Sequence, residues 1–200
     1  MARTEEGKKL IALFQHNPDK GLQYIIDRAM ALKTEKKAPF PAKSFTKSIW
    51  QRIAESADRH NTPGIFTTFS GFEWSSFGAE YNSASSMGNL HRVVIFKDDA
   101  EKVTQVLPYS RNHSEDPEDL WRYMKDYQDR FEGDVLAIPH NSNLSRGEMF
   151  SKIRYDGRPI DREYAKTRAR WEPLMEVTQQ KGDSETHPLL SPDDEFADFE

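Results

Sequence analysis

The chain contains no cysteine, which excludes disulfide staples, thiolate zinc sites and thiol nucleophiles together. It also lacks a long apolar run: nothing approaches the roughly 18 consecutive apolar residues of a membrane-spanning helix. The opening Met1-Ala2-Arg3-Thr4-Glu5-Glu6-Gly7-Lys8-Lys9 has no apolar centre of the signal-peptide kind. A membrane is therefore not expected as a partner, while the compartment stays open between cytoplasm and export. An excess of positive charge is missing as well, since 28 Lys and Arg face 33 Asp and Glu for a net charge of −5. That balance carries no electrostatic footprint for nucleic acid. Lys33, Lys36, Lys37, Lys43 and Lys47 do gather, but prolines and an acid interrupt them, and they read as a solvated face. Apolar residues are scarce at 36%, yet 12% aromatics and four apolar runs give the 200 residues enough buriable surface for one domain.

Chemistry concentrates where apolar runs meet polar residues. Thr67-Thr68-Phe69-Ser70-Gly71-Phe72 leads into Glu73-Trp74, Asn89-Leu90-His91-Arg92 opens onto Val93-Val94-Ile95-Phe96, and Val135-Leu136-Ala137-Ile138 ends on Pro139-His140-Asn141-Ser142-Asn143. One carboxylate and two imidazoles, each at the edge of an apolar strand, have the composition of a divalent-metal site. A blander account stands beside it: histidines bonded to backbone carbonyls and Glu73 as half of a buried ion pair. Arg92 is placed to clamp an anion, and Asn141 to orient a ligand by hydrogen bonding. Lys181, Glu185 and His187 crowd a polar loop near the C-terminus that reads as a substrate contact or as a solvated turn.

The periodicity divides the chain into a helical segment, 1–43, and a domain, 44–200. Leu22, Ile25, Ile26, Ala29 and Met30 repeat at helical spacing until Pro39 and Pro41. Ser44 caps a helix whose stripe is Phe45, Ile49, Ile53 and Ala57, and strand-like Ile65–Phe72 follows a turn at Thr62-Pro63-Gly64. Ser75–Gly88 reads as a loop and Arg92–Phe96 as a strand. Asp116 caps a helix with Pro117 at its first position and Leu120, Tyr123, Met124, Tyr127 and Phe131 inside, closed by Gly133. A strand at Val135–Ile138, a helix over Asp161–Trp171 and a short strand over Leu174–Val177 complete the reading. The alternation of strands and helices predicts an α/β fold with mainly parallel strands. Ligands in such folds collect at the carboxyl ends of strands; Glu73 and His140 obey that rule, and His91, which precedes its strand, does not.

Four blocks in order resemble the polymerase and histidinol phosphatase (PHP) superfamily, and more closely a large bacterial branch of it known only as a domain of unknown function. They are Pro63–Trp74, Gly88–Phe96, Leu136–Asn141 and Glu176–Glu185, and the likeness runs from about Ser44 to the C-terminus. The resemblance implies a distorted (β/α)7 barrel and two or three Mn, Zn or Fe ions. It also implies phosphoester hydrolysis by a metal-activated water, with Glu73 bridging metals and His91 and His140 as ligands. The superfamily's initial His-x-His, its Asp-His and its C-terminal Asp-x-His have no counterpart here. The expectation that follows is the central part of such a barrel, first and last strands missing, and therefore a weak or inactive hydrolase by itself.

Three function classes emerge. The first is a fragment of a metal-dependent hydrolase, a phosphoesterase with a small anionic substrate. The second is a non-catalytic domain that serves at most as a binding module. The third is a non-haem Fe(II) enzyme built on a two-histidine, one-carboxylate set, against which the strand–helix alternation argues.

Overall fold

The computed structural model describes residues 5–24, 27, 43–78, 89–145, 147–179, 182–184, 189 and 192–193. The chain divides into two units, Met1–Ser48 and Ile49–Glu200. In the first, α1 (Glu5–His16) is followed by a helical stretch described over 18–24 (α2), which Asn17 caps by accepting the Lys20 amide at 3.1 Å. Leu22 is exposed, and Ile25, Ile26, Ala29, Met30, Pro39 and Pro41 lie outside the described residues.

The second unit is organised by three strands, β1 (Ser70–Trp74), β2 (Arg92–Phe96) and β3 (Val135–Pro139), in that order across one open sheet. Both pairings are antiparallel. This overturns the expected barrel of mainly parallel strands, and the reason lies in the connection from β2 to β3. The chain leaves β2 at Phe96, turns through α4 (Ala100–Val103) and travels to the opposite end of the sheet, where Glu115 accepts from the Ser76 hydroxyl and the Phe77 amide. Helix α5 (Pro117–Phe131) then brings it back, so that Val135 pairs with Phe96. A helix between strands makes a parallel crossover only when it supplies the single return leg. Here residues 104–116 supply a second leg.

Alternation along the strands sorts their side chains onto two faces. The rows Ser70–Phe96–Val135, Phe72–Val94–Ala137 and Trp74–Arg92–Pro139 share one face, and those of β2 and β3 are all buried. Against this face pack Trp50 of α3 (Lys43–His60), Leu120, Trp121, Met124 and Tyr127 of α5, and Trp171 of α6 (Arg162–Trp171). In α3 the buried positions are Trp50 and Ala54, whereas the expected Ile49 and Ile53 are exposed. α5 follows its predicted bounds, with Asp116 accepting the Glu118 amide at 2.8 Å, and its buried face also includes Trp121. The left-handed residue that ends α5 is Glu132 (φ 50°), not Gly133. Gly133 is needed for closeness, because a Cβ there would strike the Tyr127 ring.

The expected first strand is shifted: 62–66 form a turn closed by a Thr62–Phe66 bridge, and Ile65, Phe66 and Phe69 are exposed. Leu174–Val177 is not a strand either. The Glu176 amide donates to Pro139 O at 3.0 Å, and a two-residue pairing of β4 (Thr178–Gln179) with β5 (Gly182–Asp183) follows.

One ion pair is sealed into the core. Arg92 Nε lies 3.0 Å from Glu172 Oε1, with the two side chains 2% and 1% exposed. Trp121 Nε1 donates to the same oxygen at 2.8 Å, and Arg168 Nε approaches the other at 3.1 Å. Removing one partner of such a pair strands a buried charge, whereas replacing both with apolar groups is often tolerated. Glu172→Gln should therefore destabilise the domain by about 3–5 kcal/mol in chemical denaturation, and the double change Arg92→Met with Glu172→Leu should recover most of that loss.

Asp98 joins three elements at the other end of the sheet. Its carboxylate accepts from Tyr127 Oη at 2.9 Å and the Asp134 amide at 2.8 Å, and pairs with Lys102 at 2.9 Å. Burial pushes the Asp98 carboxyl up, but these three donors outweigh it and hold the group below its ordinary value. A depressed folded pKa adds stability that is complete above the unfolded value of about 3.9 and disappears as pH falls through the folded one. The gap in unfolding midpoint between wild type and Asp98→Asn should accordingly narrow as pH drops from 6 toward 3.

Candidate metal centre

The antiparallel register that displaces the barrel also assembles the predicted residues. β1 runs toward Glu73, β2 starts just after His91 and β3 ends just before His140, so all three sit at one end of the sheet. The ladder extends one step past the Arg92–Pro139 pair, with the His140 amide donating to His91 O at 3.2 Å. His91 and His140 thus face each other across two strands, and Glu73 is the diagonal neighbour of His91 in the register. By alternation all three belong to the face opposite the core.

Their side chains converge on one carboxylate oxygen. Glu73 Oε1 is 2.6 Å from His91 Nδ1 and 3.6 Å from His140 Nε2, and the three ligand atoms lie within 4.8 Å of one another. The imidazole planes are nearly perpendicular, 89° apart, with ring centres 6.0 Å apart. Exposure is graded across the group, from 50% for the Glu73 side chain to 17% for His91 and 9% for His140. Burial pushes the Glu73 carboxyl up, yet the His91 and His140 imidazoles, with the Ser75 hydroxyl donating at 3.3 Å, hold it below the usual carboxylate range. His140 Nδ1 is buried with no hydrogen-bond partner among the described residues. The Phe77 ring stands edge-on to His91 at 6.1 Å and carries the Arg111 guanidinium on its face at 4.5 Å.

Other predicted contacts fall elsewhere. Arg92 projects from the core face into the Glu172 pair, so adjacent residues 91 and 92 serve opposite sides of the sheet. Asn141 is 3% exposed, and its amide is used by the protein: Nδ2 donates to Asn89 Oδ1 at 3.0 Å, and Oδ1 accepts from Gln179 Nε2 at 2.8 Å. Lys181, Glu185 and His187 lie outside the described residues. Sequence reasoning passed over Asn89 and Gln179, whose polar side chains beside the histidine blocks were the available signal. It also passed over Asp58-Arg59-His60, an Asp-x-His within α3. There Asp58 accepts the Ala100 amide at the start of α4 at 2.9 Å and His60 Nδ1 meets Ser56 O at 2.8 Å, so neither joins the group.

A family model, described as a protein of unknown function (DUF3604), matches residues 3–200. The chain belongs to this family. No curated protein and no solved structure matches it. The DUF3604 match spans both units, and its description assigns no activity to the Glu73–His91–His140 group.

Because the group stands outside the core, its loss should leave the DUF3604 domain folded. Glu73→Gln and His91→Ala should each shift stability by less than about 1 kcal/mol. Trp74→Ala, one residue from Glu73 but fully buried, should cost about 3–5 kcal/mol. Thermal unfolding of the three variants checks the contrast.

Proposed function

We propose that Glu73, His91 and His140 hold a divalent metal ion, and that this domain is a metal-dependent hydrolase acting on a small anionic substrate of the phosphoester class. The observation that carries the reading is the convergence of two imidazoles on one carboxylate oxygen, on a sheet face where core packing does not call for them. Two nitrogens and one oxygen suit Mn, Zn or Fe better than Ca or Mg, which favour all-oxygen shells. Donors that share one ion at about 2.0–2.2 Å lie about 3–4.4 Å apart. The group meets this with a sub-ångström adjustment, chiefly a lengthening of the 2.6 Å Glu73–His91 contact. The buried His140 Nδ1, without a hydrogen-bond partner among the described residues, fits a ring placed for a ligand rather than for the protein's own hydrogen bonding.

When bound, such an ion supplies Lewis acidity and draws the pKa of water toward neutrality. The chain's own residues do the rest. Glu73 stays anionic across the neutral range because both imidazoles favour its charged form. Ser75 orients the carboxylate, and Phe77 limits solvent on the His91 side. The likeness of the four sequence blocks to PHP enzymes supports hydrolysis as the reaction. An Fe(II) oxygenation reading uses the same three donors, but the helices between β2 and β3 and the open three-stranded sheet leave the objection from strand–helix alternation in force.

The test titrates metal-free protein with Mn²⁺ and Zn²⁺ by calorimetry and assays each loaded form on a generic aryl phosphate ester. Saturable binding that weakens at least tenfold in His140→Ala is expected, together with hydrolysis that requires the ion. Binding without hydrolysis reduces the domain to a metal-binding module, and Fe²⁺-dependent oxygen uptake moves it to the oxygenase class. Absence of saturable binding would overturn the metal reading and leave Glu73 as the partner of an ion pair.

A further inference from the structure

The two histidines are held in place by a device that neither of them contains. Immediately after His140 the chain turns sharply, and Asn141 makes that turn with φ 66°. Among residues with a side chain, asparagine is one of the few that enters this left-handed region readily, so the conformation alone could explain its presence. The side chain does more. Asn141 Nδ2 donates to Asn89 Oδ1 at 3.0 Å, and the same Asn89 oxygen accepts the His91 backbone amide at 3.4 Å. Asn89 lies two residues before one candidate ligand and Asn141 directly after the other. One amide–amide contact therefore links the backbone on the outer side of both histidines, while the His140 amide to His91 carbonyl bond links them on the inner side. Asn141 Oδ1 is also engaged, by Gln179 of β4, so the amide cannot rotate without losing a bond. Asn141 is 3% exposed, so losing these partners would leave buried polar groups unsatisfied.

We infer that Asn141, acting through Asn89, is the positioning residue that sets the spacing of His91 and His140 for a divalent ion. The inference rests on the metal reading above. His140 offers the mechanical reason. Its Nδ1 has no hydrogen-bond partner among the described residues, so the backbone on either side must fix the ring, where other metal sites use a bond to the second nitrogen. The clamp touches no reacting atom; it narrows the range of donor separations before the ion arrives.

Glycine is the informative replacement, because Asn141→Gly keeps the left-handed backbone without strain and deletes only the amide. Metal-free wild type, Asn141→Gly, Asn89→Ala and the double variant are titrated with Zn²⁺ against a competing chelator, and their Co²⁺ absorption spectra are compared. Weakening of about 10- to 100-fold is expected in Asn141→Gly, with a smaller loss in Asn89→Ala. The double variant should be no more than about twofold weaker than the worse single one, because both open the same link. The Co²⁺ spectrum should also change shape, which general destabilisation would not cause. Tyr127→Phe, which removes a hydrogen bond to Asp98 away from the group, serves as the control and should bind metal as wild type does. If Asn141→Gly does not fold, Asn89→Ala carries the comparison alone. Wild-type binding that both asparagine variants retain undiminished would overturn the clamp and leave the metal reading intact. No saturable Zn²⁺ binding by wild type would remove both.

Discussion

The antiparallel register of β2 between β1 and β3 is the constraint on which the rest of this domain depends. Antiparallel neighbours place the end of one strand beside the start of the next. Glu73 near a strand's end, His91 before a strand's start and His140 after another strand's end thereby become neighbours, although residues 74–90 and 92–139 intervene. A parallel sheet with the same sequence blocks would set His91 at the far end from the other two.

The period of two along β2 then divides labour between consecutive residues. Arg92 turns into the core, where Glu172, Trp121 and Arg168 surround its charge. His91 turns to the opposite face and meets Glu73. A buried ion pair is weak evidence of stability in its own right. Its value here is registration: with the guanidinium held by Glu172, β2 cannot slip by one residue without expelling a charge from its partners. The same anchor consequently fixes the position of His91. At the other end of the sheet Asp98 ties α4, α5 and the start of β3 together, so each end has a polar tether with apolar packing between them.

At the candidate centre the electrostatics are asymmetric. Glu73 is the most exposed member, hydrogen-bonded to His91 and 3.6 Å from His140; the histidines are more enclosed, and His140 most of all. The asparagine pair supplies rigidity through groups that do not titrate, which separates the holding of geometry from the handling of charge.

Local signals settled much of this without tertiary information. Asp116-Pro117 and Asp161 start α5 and α6 because a capping side chain and a proline without an amide proton act within one helical turn. The apolar runs at β2 and β3 form strands because their bulky branched residues fit a pleated, half-buried surface. Glu73, His91 and His140 were identifiable by residue type at strand edges. Direction was not legible: alternating strands and helices look alike whether the connection crosses the sheet once or twice, and only the contacts of Glu115 with Ser76 and Phe77 reveal the second leg. Nor was the face legible for Arg92, since strand parity depends on register, and register is a property of the partner strand. The sequence by itself determined which residues could carry chemistry, because donor type is covalent. Tertiary structure alone decided which of them meet, because antiparallel pairing and two-residue alternation act between segments that no local pattern joins.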